Sequence, residues 1–149
     1  MKVVIQRVTE ASVTVEDKLI SQIGKGLMIL HGVEVGDSEE DLKYIHKKIM
    51  KLRIFDDLDG VMNEDISQAN GEILLVSQFT LLANTRKGNR PSYVNAAPPE
   101  ISSPLYDTLA NMLSESLGKP VQRGIFGADM KVKLINDGPV TIVIDSRNK

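Results

Sequence analysis

The chain contains no cysteine. That one absence removes disulfides, thiolate zinc sites and cysteine nucleophiles together. Histidine is scarce as well: there are only His31 and His46, far apart in sequence, so no metal site is expected. No apolar run approaches the length of a membrane span. The first residues, Met1-Lys2-Val3-Val4-Ile5-Gln6-Arg7, lack the long apolar core of a signal peptide and read as a strand. A cytoplasmic protein with no membrane partner is the expectation. An excess of positive charge is also missing. The net charge is −2, whereas dedicated non-specific nucleic-acid binders are basic. A local basic patch stays open.

The standard hydrolytic signatures are absent too. There is no Gly-x-Ser-x-Gly elbow, no His-Glu-x-x-His, no phosphate-binding loop and no Gly-x-Gly-x-x-Gly. Ser77 and Thr80 are candidate nucleophiles, but a triad needs a nearby base, and nothing in the sequence places one there. If the chain is an enzyme, backbone N–H groups and positioning are the expected devices, and they suit an already activated bond.

What is present describes an ordinary globular domain of 149 residues, 42% hydrophobic and 26% charged. Apolar runs at 1–8, 11–15, 19–23, 27–33, 72–76, 121–125, 130–135 and 140–144 read as strands, with a short one at 53–55. The run 27–33 is almost wholly apolar, as in a strand buried on both faces. His31, at its end, reads as a packed and hydrogen-bonded histidine in preference to a catalytic base. Ser38 caps a helix whose apolar stripe is Leu42, Ile45, Ile49 and Leu52. Lys43, Lys47, Lys48, Lys51 and Arg53 fall largely outside that stripe, giving a solvated face or, alternatively, a phosphate-contacting one. Asp56 to Gly60 reads as a turn, because the spacing of its acids does not fit a calcium loop. Residues 62–71 read as loop. Ser103 and Pro104 signal the start of a second helix, with Leu105, Leu109, Met112, Leu113 and Leu117 inward and Gly118 and Pro120 ending it. The strands come in hairpin-like runs. The predicted fold is therefore α+β: one domain over 1–149, with a largely antiparallel, barrel-like sheet and two helices.

Three stretches stand out. Ser77-Gln78-Phe79-Thr80 places three hydrogen-bonding side chains around an aromatic at a strand end, where scaffolds present functional groups. Local hydroxyl-to-backbone bonding also explains it, and on composition alone is slightly favoured. Ala83 to Tyr93 carries Arg86, Lys87 and Arg90 and no acid, a candidate grip on a phosphate backbone. Asn136-Asp137-Gly138-Pro139 is a turn signal between two apolar runs, with more turn residues than a hairpin needs. Gly-Pro can adopt a cis bond, and this stretch is suited to presenting bare backbone.

Taken in order, Met1 to Val8, Ser77-Gln78-Phe79-Thr80-Leu81, Arg90-Pro91-Ser92-Tyr93, Phe126-Gly127-Ala128-Asp129-Met130 and Asn136-Asp137-Gly138-Pro139-Val140-Thr141 resemble the D-aminoacyl-tRNA deacylases. The resemblance spans nearly the whole chain. It implies a homodimer, with the active site at the interface, that hydrolyses the ester joining a D-amino acid to tRNA, and it calls for no cofactor. It assigns Ser77, Gln78, Phe79 and Thr80 to the catalytic pocket for the terminal adenosine and ester carbonyl. Gly138 and Pro139, cis in the family, would select chirality in the partner's site. Arg7, Met130 and Asn136 would support the site, and Arg86, Lys87 and Arg90 are taken as tRNA phosphate contacts. A wall that rejects L-amino acids without reading the side chain should admit many D-amino acids, and glycine as well. Whether the Thr80 hydroxyl or the 2′-hydroxyl of the RNA drives the reaction stays open. The alternatives are a non-catalytic RNA-binding barrel and a generic serine or threonine esterase.

Overall fold

The computed structural model describes residues 1–149. The two apolar runs at 1–8 and 11–15 form one strand, β1 (Lys2–Val15). Thr9 and Glu10 interrupt the alternation without breaking the strand. A bulge absorbs Thr9, while Val8 and Glu10 stay in register with Asn136 and Ile135. Glu16 and Asp17, both with positive φ (48° and 61°), turn the chain into β2 (Lys18–Ile23). β3 (Gly26–Gly32) follows. β2 and β3 pair antiparallel with successive parts of β1.

Helix α1 (Glu39–Lys51) starts where Ser38 and Asp41 form a capping box. The Ser38 Oγ accepts from the Glu40 N–H (3.3 Å), and the Asp41 carboxylate accepts from the Ser38 N–H (2.8 Å). Leu42, Ile45 and Ile49 are buried as the stripe requires, and Met50 joins them. A small hairpin follows, β4 (Phe55–Asp56) and β5 (Met62–Glu64). Reading 62–71 as loop misses β5, whose mostly exposed, polar residues leave no apolar pattern. β6 (Glu72–Ser77) then pairs with β3 in parallel.

Helix α2 (Pro99–Leu117) starts at the Pro98-Pro99 pair, not at Ser103-Pro104. Pro99 fits the first helical position, where no N–H is needed. Pro104 lies inside the helix, and its missing N–H leaves the exposed Glu100 carbonyl to solvent. Burying each of Leu109 and Leu113 contributes about 1.5–3 kcal/mol. Beyond α2, β7 (Gln122–Arg123) pairs in parallel with β6, and β8 (Lys131–Asp145) returns antiparallel along the other edge of β1.

The sheet is therefore mixed, which corrects the expectation of a largely antiparallel one. The two helices fall at the β3–β6 and β6–β7 junctions, and crossovers of that length bring the chain back in the same direction. The sheet curls until the Ser21 hydroxyl on β2 donates to the Arg123 carbonyl near its far edge (2.9 Å), so the barrel is nearly closed. Val8, Val13, Ile23, Met28, Leu74 and Val76 fill one side of it. The other side packs on the helices through Ile5, Ile29, Leu42, Ile45, Leu109 and Leu113. No helix is long and apolar enough to cross a membrane.

Candidate active site

The parallel pair β3–β6 ends with His31 beside Ser77. Here the chain does not run on as a strand. It folds into a short 3-10 turn over Phe79–Leu82. The Gln78 N–H donates to the His31 carbonyl (2.7 Å), and the Leu81 N–H closes onto the Gln78 carbonyl (3.2 Å). Gly32 makes the seat. A Cβ there would stand 2.6 Å from Leu82 Cδ2 and 2.9 Å from the Gln78 carbonyl oxygen. The first N–H groups of such a turn, those of Phe79 and Thr80, have no partner within it. The Gln78 side-chain amide donates to Thr80 Oγ1.

Beside this turn lies a cavity of about 500 Å³. Ser77, Gln78, Phe79 and Met130 line it, together with Ser102 and Tyr106 of α2, His31, and residues 126–129. Tyr106 donates its hydroxyl to the Leu75 carbonyl (2.8 Å), and burial pushes its pKa up to about 12. The His31 ring packs at 6.2 Å from Tyr106, between ring centroids, and is 2% exposed. It is packed as expected, but neither ring nitrogen has a hydrogen-bond partner. Burial pushes its pKa down to about 4; the Met1 ammonium adds to this and the Asp37 carboxylate opposes it. At neutral pH the ring is therefore uncharged, with both nitrogens sealed from solvent.

Residues 136–141 are not a turn between two strands. They are a bulge inside β8, whose halves both pair with β1. Gln6 stands opposite Thr141 and Val8 opposite Asn136, so residues 137–140 bow out opposite Arg7 alone. The Gly138–Pro139 bond is cis. Gly138 has φ +124°, and a Cβ there would stand 2.8 Å from Val140 Cγ2 and 3.1 Å from the Arg7 guanidinium, so only glycine fits. Arg7 Nε donates to the Asp137 carbonyl (3.2 Å) and Nη1 to the Ile54 carbonyl (2.7 Å). The carboxylates of Asp137 and Asp56 each lie 3.4 Å from the same guanidinium. Asn136 ties the base of the bulge, accepting from the Val140 N–H (3.0 Å) and donating to Thr141 Oγ1 (2.9 Å).

The residues singled out in the sequence thus fall in three places. Ser77, Gln78, Phe79 and Met130 line the cavity, with Thr80 hydrogen-bonded to Gln78. Arg7, Asn136, Gly138 and Pro139 gather at the bulge and do not line that cavity. Arg86, Lys87 and Arg90 sit on an exposed loop closed by paired hydrogen bonds between Asn84 and Ser92 (2.8 and 3.0 Å). Sequence reasoning missed Ser102 and Tyr106 as cavity residues. Their four-residue spacing puts them on one helix face, a signal hidden by the misplaced helix start.

A profile of the D-Tyr-tRNA(Tyr) deacylase family matches residues 4–145. The chain belongs to that family. Other proteins similar to this member of the D-Tyr-tRNA(Tyr) deacylase family include the D-aminoacyl-tRNA deacylase of Flavobacterium psychrophilum, 60% identical over all of this chain and 99% of that one. The D-aminoacyl-tRNA deacylase of Porphyromonas gingivalis is 59% identical over the same shares. Among solved structures, the c-Myc DNA Unwinding Element Binding Protein superposes with TM-score 0.92 at 40% identity, covering 97% of this chain and 98% of that one. A probable eukaryotic D-amino acid tRNA deacylase superposes with TM-score 0.82 over 96% of this chain and 97% of that one. At 17% identity it shows the shared fold alone.

Proposed function

We propose that this chain, as one deacylase domain over 1–149, is a hydrolase that cleaves the ester between a D-amino acid and tRNA. It releases free tRNA and the D-amino acid, and so proofreads chirality in translation. The observation that carries this reading is the end-to-end likeness, at 60% identity, to proteins known as D-aminoacyl-tRNA deacylases. The geometry supports it. A cavity of about 500 Å³ with a few polar groups suits an aminoacylated terminal adenosine. Water adds to the ester carbonyl, and the N–H groups of Phe79 and Thr80 at the head of the helical turn hold the oxyanion. The acyl–oxygen bond then breaks and the ribose oxygen leaves with a proton. The vicinal 2′-hydroxyl of the substrate assists that transfer. Thr80 is not the nucleophile in this scheme: its hydroxyl already accepts a hydrogen bond from Gln78, and the one imidazole at the cavity is sealed.

Gly138 and Pro139 act in the cavity of a second copy. Two features support a homodimer. β8 has no strand on its outer edge, and Ile135 and Val143 on it are 50% and 68% exposed. The carbonyls of the dipeptide hold the α-amino group, so the side chain of an L-amino acid meets backbone, whereas D-amino acids and glycine fit. Arg7 and Asn136 keep that wall in place. Arg86, Lys87 and Arg90 contact tRNA phosphates, and the cytoplasm is the setting where such a substrate is met.

Deacylation of D-Tyr-tRNA and L-Tyr-tRNA in parallel is the test. Only the D form should turn over, and comparable rates would sink chiral proofreading. A second reading is binding of nucleic acid without catalysis. The basic loop favours it, as does the likeness, at 40% identity, to the c-Myc DNA Unwinding Element Binding Protein. It expects binding without turnover, and equal treatment of D- and L-charged tRNA.

A further inference from the structure

Phe79 and Tyr93 form an exposed aromatic pair, 56% and 38% accessible, with ring centroids 5.0 Å apart and planes at 69°. Tyrosine and phenylalanine are enriched at binding interfaces relative to the rest of a protein surface. Their place is specific. Phe79 lines the cavity, and the Tyr93 carbonyl accepts from the N–H of Ala96, another lining residue (2.9 Å), so the pair stands at the cavity mouth. Tyr93 follows directly on the loop closed by Asn84 and Ser92. That loop carries Arg86, Lys87 and Arg90, and none of the three is in an ion pair.

We infer that Tyr93, propped edge-to-face by Phe79, is the stacking platform for the base next to the terminal nucleotide, and that the 84–92 loop holds the phosphates beyond it. The inference rests on the deacylase reading. The cavity suits one aminoacyl-nucleoside, so a polynucleotide joined to it leaves through the mouth where this pair stands, on the side of the cationic loop. A single-stranded 3′ end offers unstacked bases, and proteins take these up on aromatic faces while cations track the backbone. Charge complementarity favours that occupant over the same rim of a second copy of this chain, which carries the same cations.

The test compares kcat/KM for D-aminoacyl esters of adenosine, of a dinucleotide with one further 5′ nucleotide, and of full tRNA. In the wild type the dinucleotide ester should outrun the mononucleotide ester. In Tyr93→Ala that gain should shrink on the order of tenfold, the size of one lost base–aromatic stack. Tyr93→Phe should keep it, because the ring face remains. Replacing Arg86, Lys87 and Arg90 together by alanine should flatten the salt dependence of KM for tRNA, by a log–log slope of roughly one per charge removed. The inference is overturned if the gain survives Tyr93→Ala, or if Tyr93→Ala slows the mononucleotide ester as much as the dinucleotide. The second result would mark Tyr93 as a prop for Phe79 or as part of a dimer contact. Failure of Tyr93→Phe would also overturn it. If the wild type hydrolyses none of the three D-esters, the deacylase reading itself falls. That result is distinct from an active wild type whose rate ignores Tyr93.

Discussion

The turn after β6 and the bulge in β8 both interrupt a strand, but different forces hold them. At the turn, Gly32 lets the Gln78 carbonyl and the buried Leu82 approach to within a side chain's radius, so the seat is set by close packing. At the bulge no residue from 136 to 139 is buried, and the shape depends on the Arg7 guanidinium and the Asn136 amide. Packing is short-ranged and punishes added volume. Hydrogen bonds to a charged donor punish its removal. The two places should therefore fail in different ways, and the largest failure belongs to the bulge. Arg7→Ala removes the charged hydrogen bonds to the Asp137 and Ile54 carbonyls and leaves the Ile54 carbonyl without its donor, a loss of about 3–5 kcal/mol measured by denaturant unfolding. Arg7→Lys should restore less than half, because one ammonium cannot span the Asp137 and Ile54 carbonyls as the fork does. Full recovery with lysine would show that charge alone holds the bulge.

The cavity end has its own polar weakness, His31. Its pKa falls from 6.5 in the unfolded chain to about 4 in the fold, so the unfolded chain binds more protons between those values. Stability is then unaffected above pH 6.5 and is lost as pH falls toward 4, by about 3 kcal/mol when the titration is complete. His31→Leu should abolish that loss. It should also raise stability at pH 7, since two unsatisfied ring nitrogens disappear. An acid limb from pH 6.5 to 4 that persists in His31→Leu would assign the effect to other groups.

The packed turn is probed next by volume. Gly32→Ala places a methyl 2.6 Å from Leu82 and 2.9 Å from the Gln78 carbonyl, so the turn must shift. A displacement near 1 Å at a catalytic centre costs about 100-fold in rate. Turnover of D-Tyr-tRNA should fall by that order while the bulge stays intact, as hydrogen exchange at Val140 would report. Near-normal turnover would mean that Leu82 and the turn yield without moving the Phe79 and Thr80 N–H groups.

The same contrast explains what could be read from the chain. Helix α1 was legible because Ser38, Asp41 and a 3.6-residue stripe agree with one another. β3 was legible because a strand buried on both faces leaves a continuous apolar run. The bulge was not. Turn residues and flanking apolar runs describe a hairpin as well as a bulge, and the pairing of both halves with β1, with Arg7 130 residues away opposite them, decides between the two. The parallel pairings were hidden because nothing local reports which strand lies alongside. The start of α2 is not legible because Pro104 fits an N-terminus as well as Pro99 does, and tertiary burial of Ser102 extends the helix past it. At the site, Ser77 to Thr80 could be marked but not their shape. The 3-10 turn follows from the room left at Gly32, a contact between separate strands.

The smallest expected effect is also the one that separates the two chemistries open at the turn. Thr80 Oγ1 accepts from the Gln78 amide. If backbone N–H groups and the substrate's 2′-hydroxyl perform the reaction, Thr80→Val removes one side-chain hydrogen bond at nearly constant shape. Such a loss is about 0.5–1.5 kcal/mol, or roughly two- to twelvefold in single-turnover rate. If Thr80 is the nucleophile, the rate should fall by about four orders of magnitude or more while tRNA binding persists. A D-aminoacyl-tRNA ending in 2′-deoxyadenosine gives the opposite pattern. It should be nearly inert if the RNA hydroxyl assists, and should react normally if Thr80 attacks. The hydrogen bond from Gln78 and the sealed His31 imidazole predict the mild threonine effect together with the severe deoxy effect. The reverse pair of results would move the chemistry from the backbone of the turn to its side chain, and the packing that sets the backbone would then matter less than Gln78.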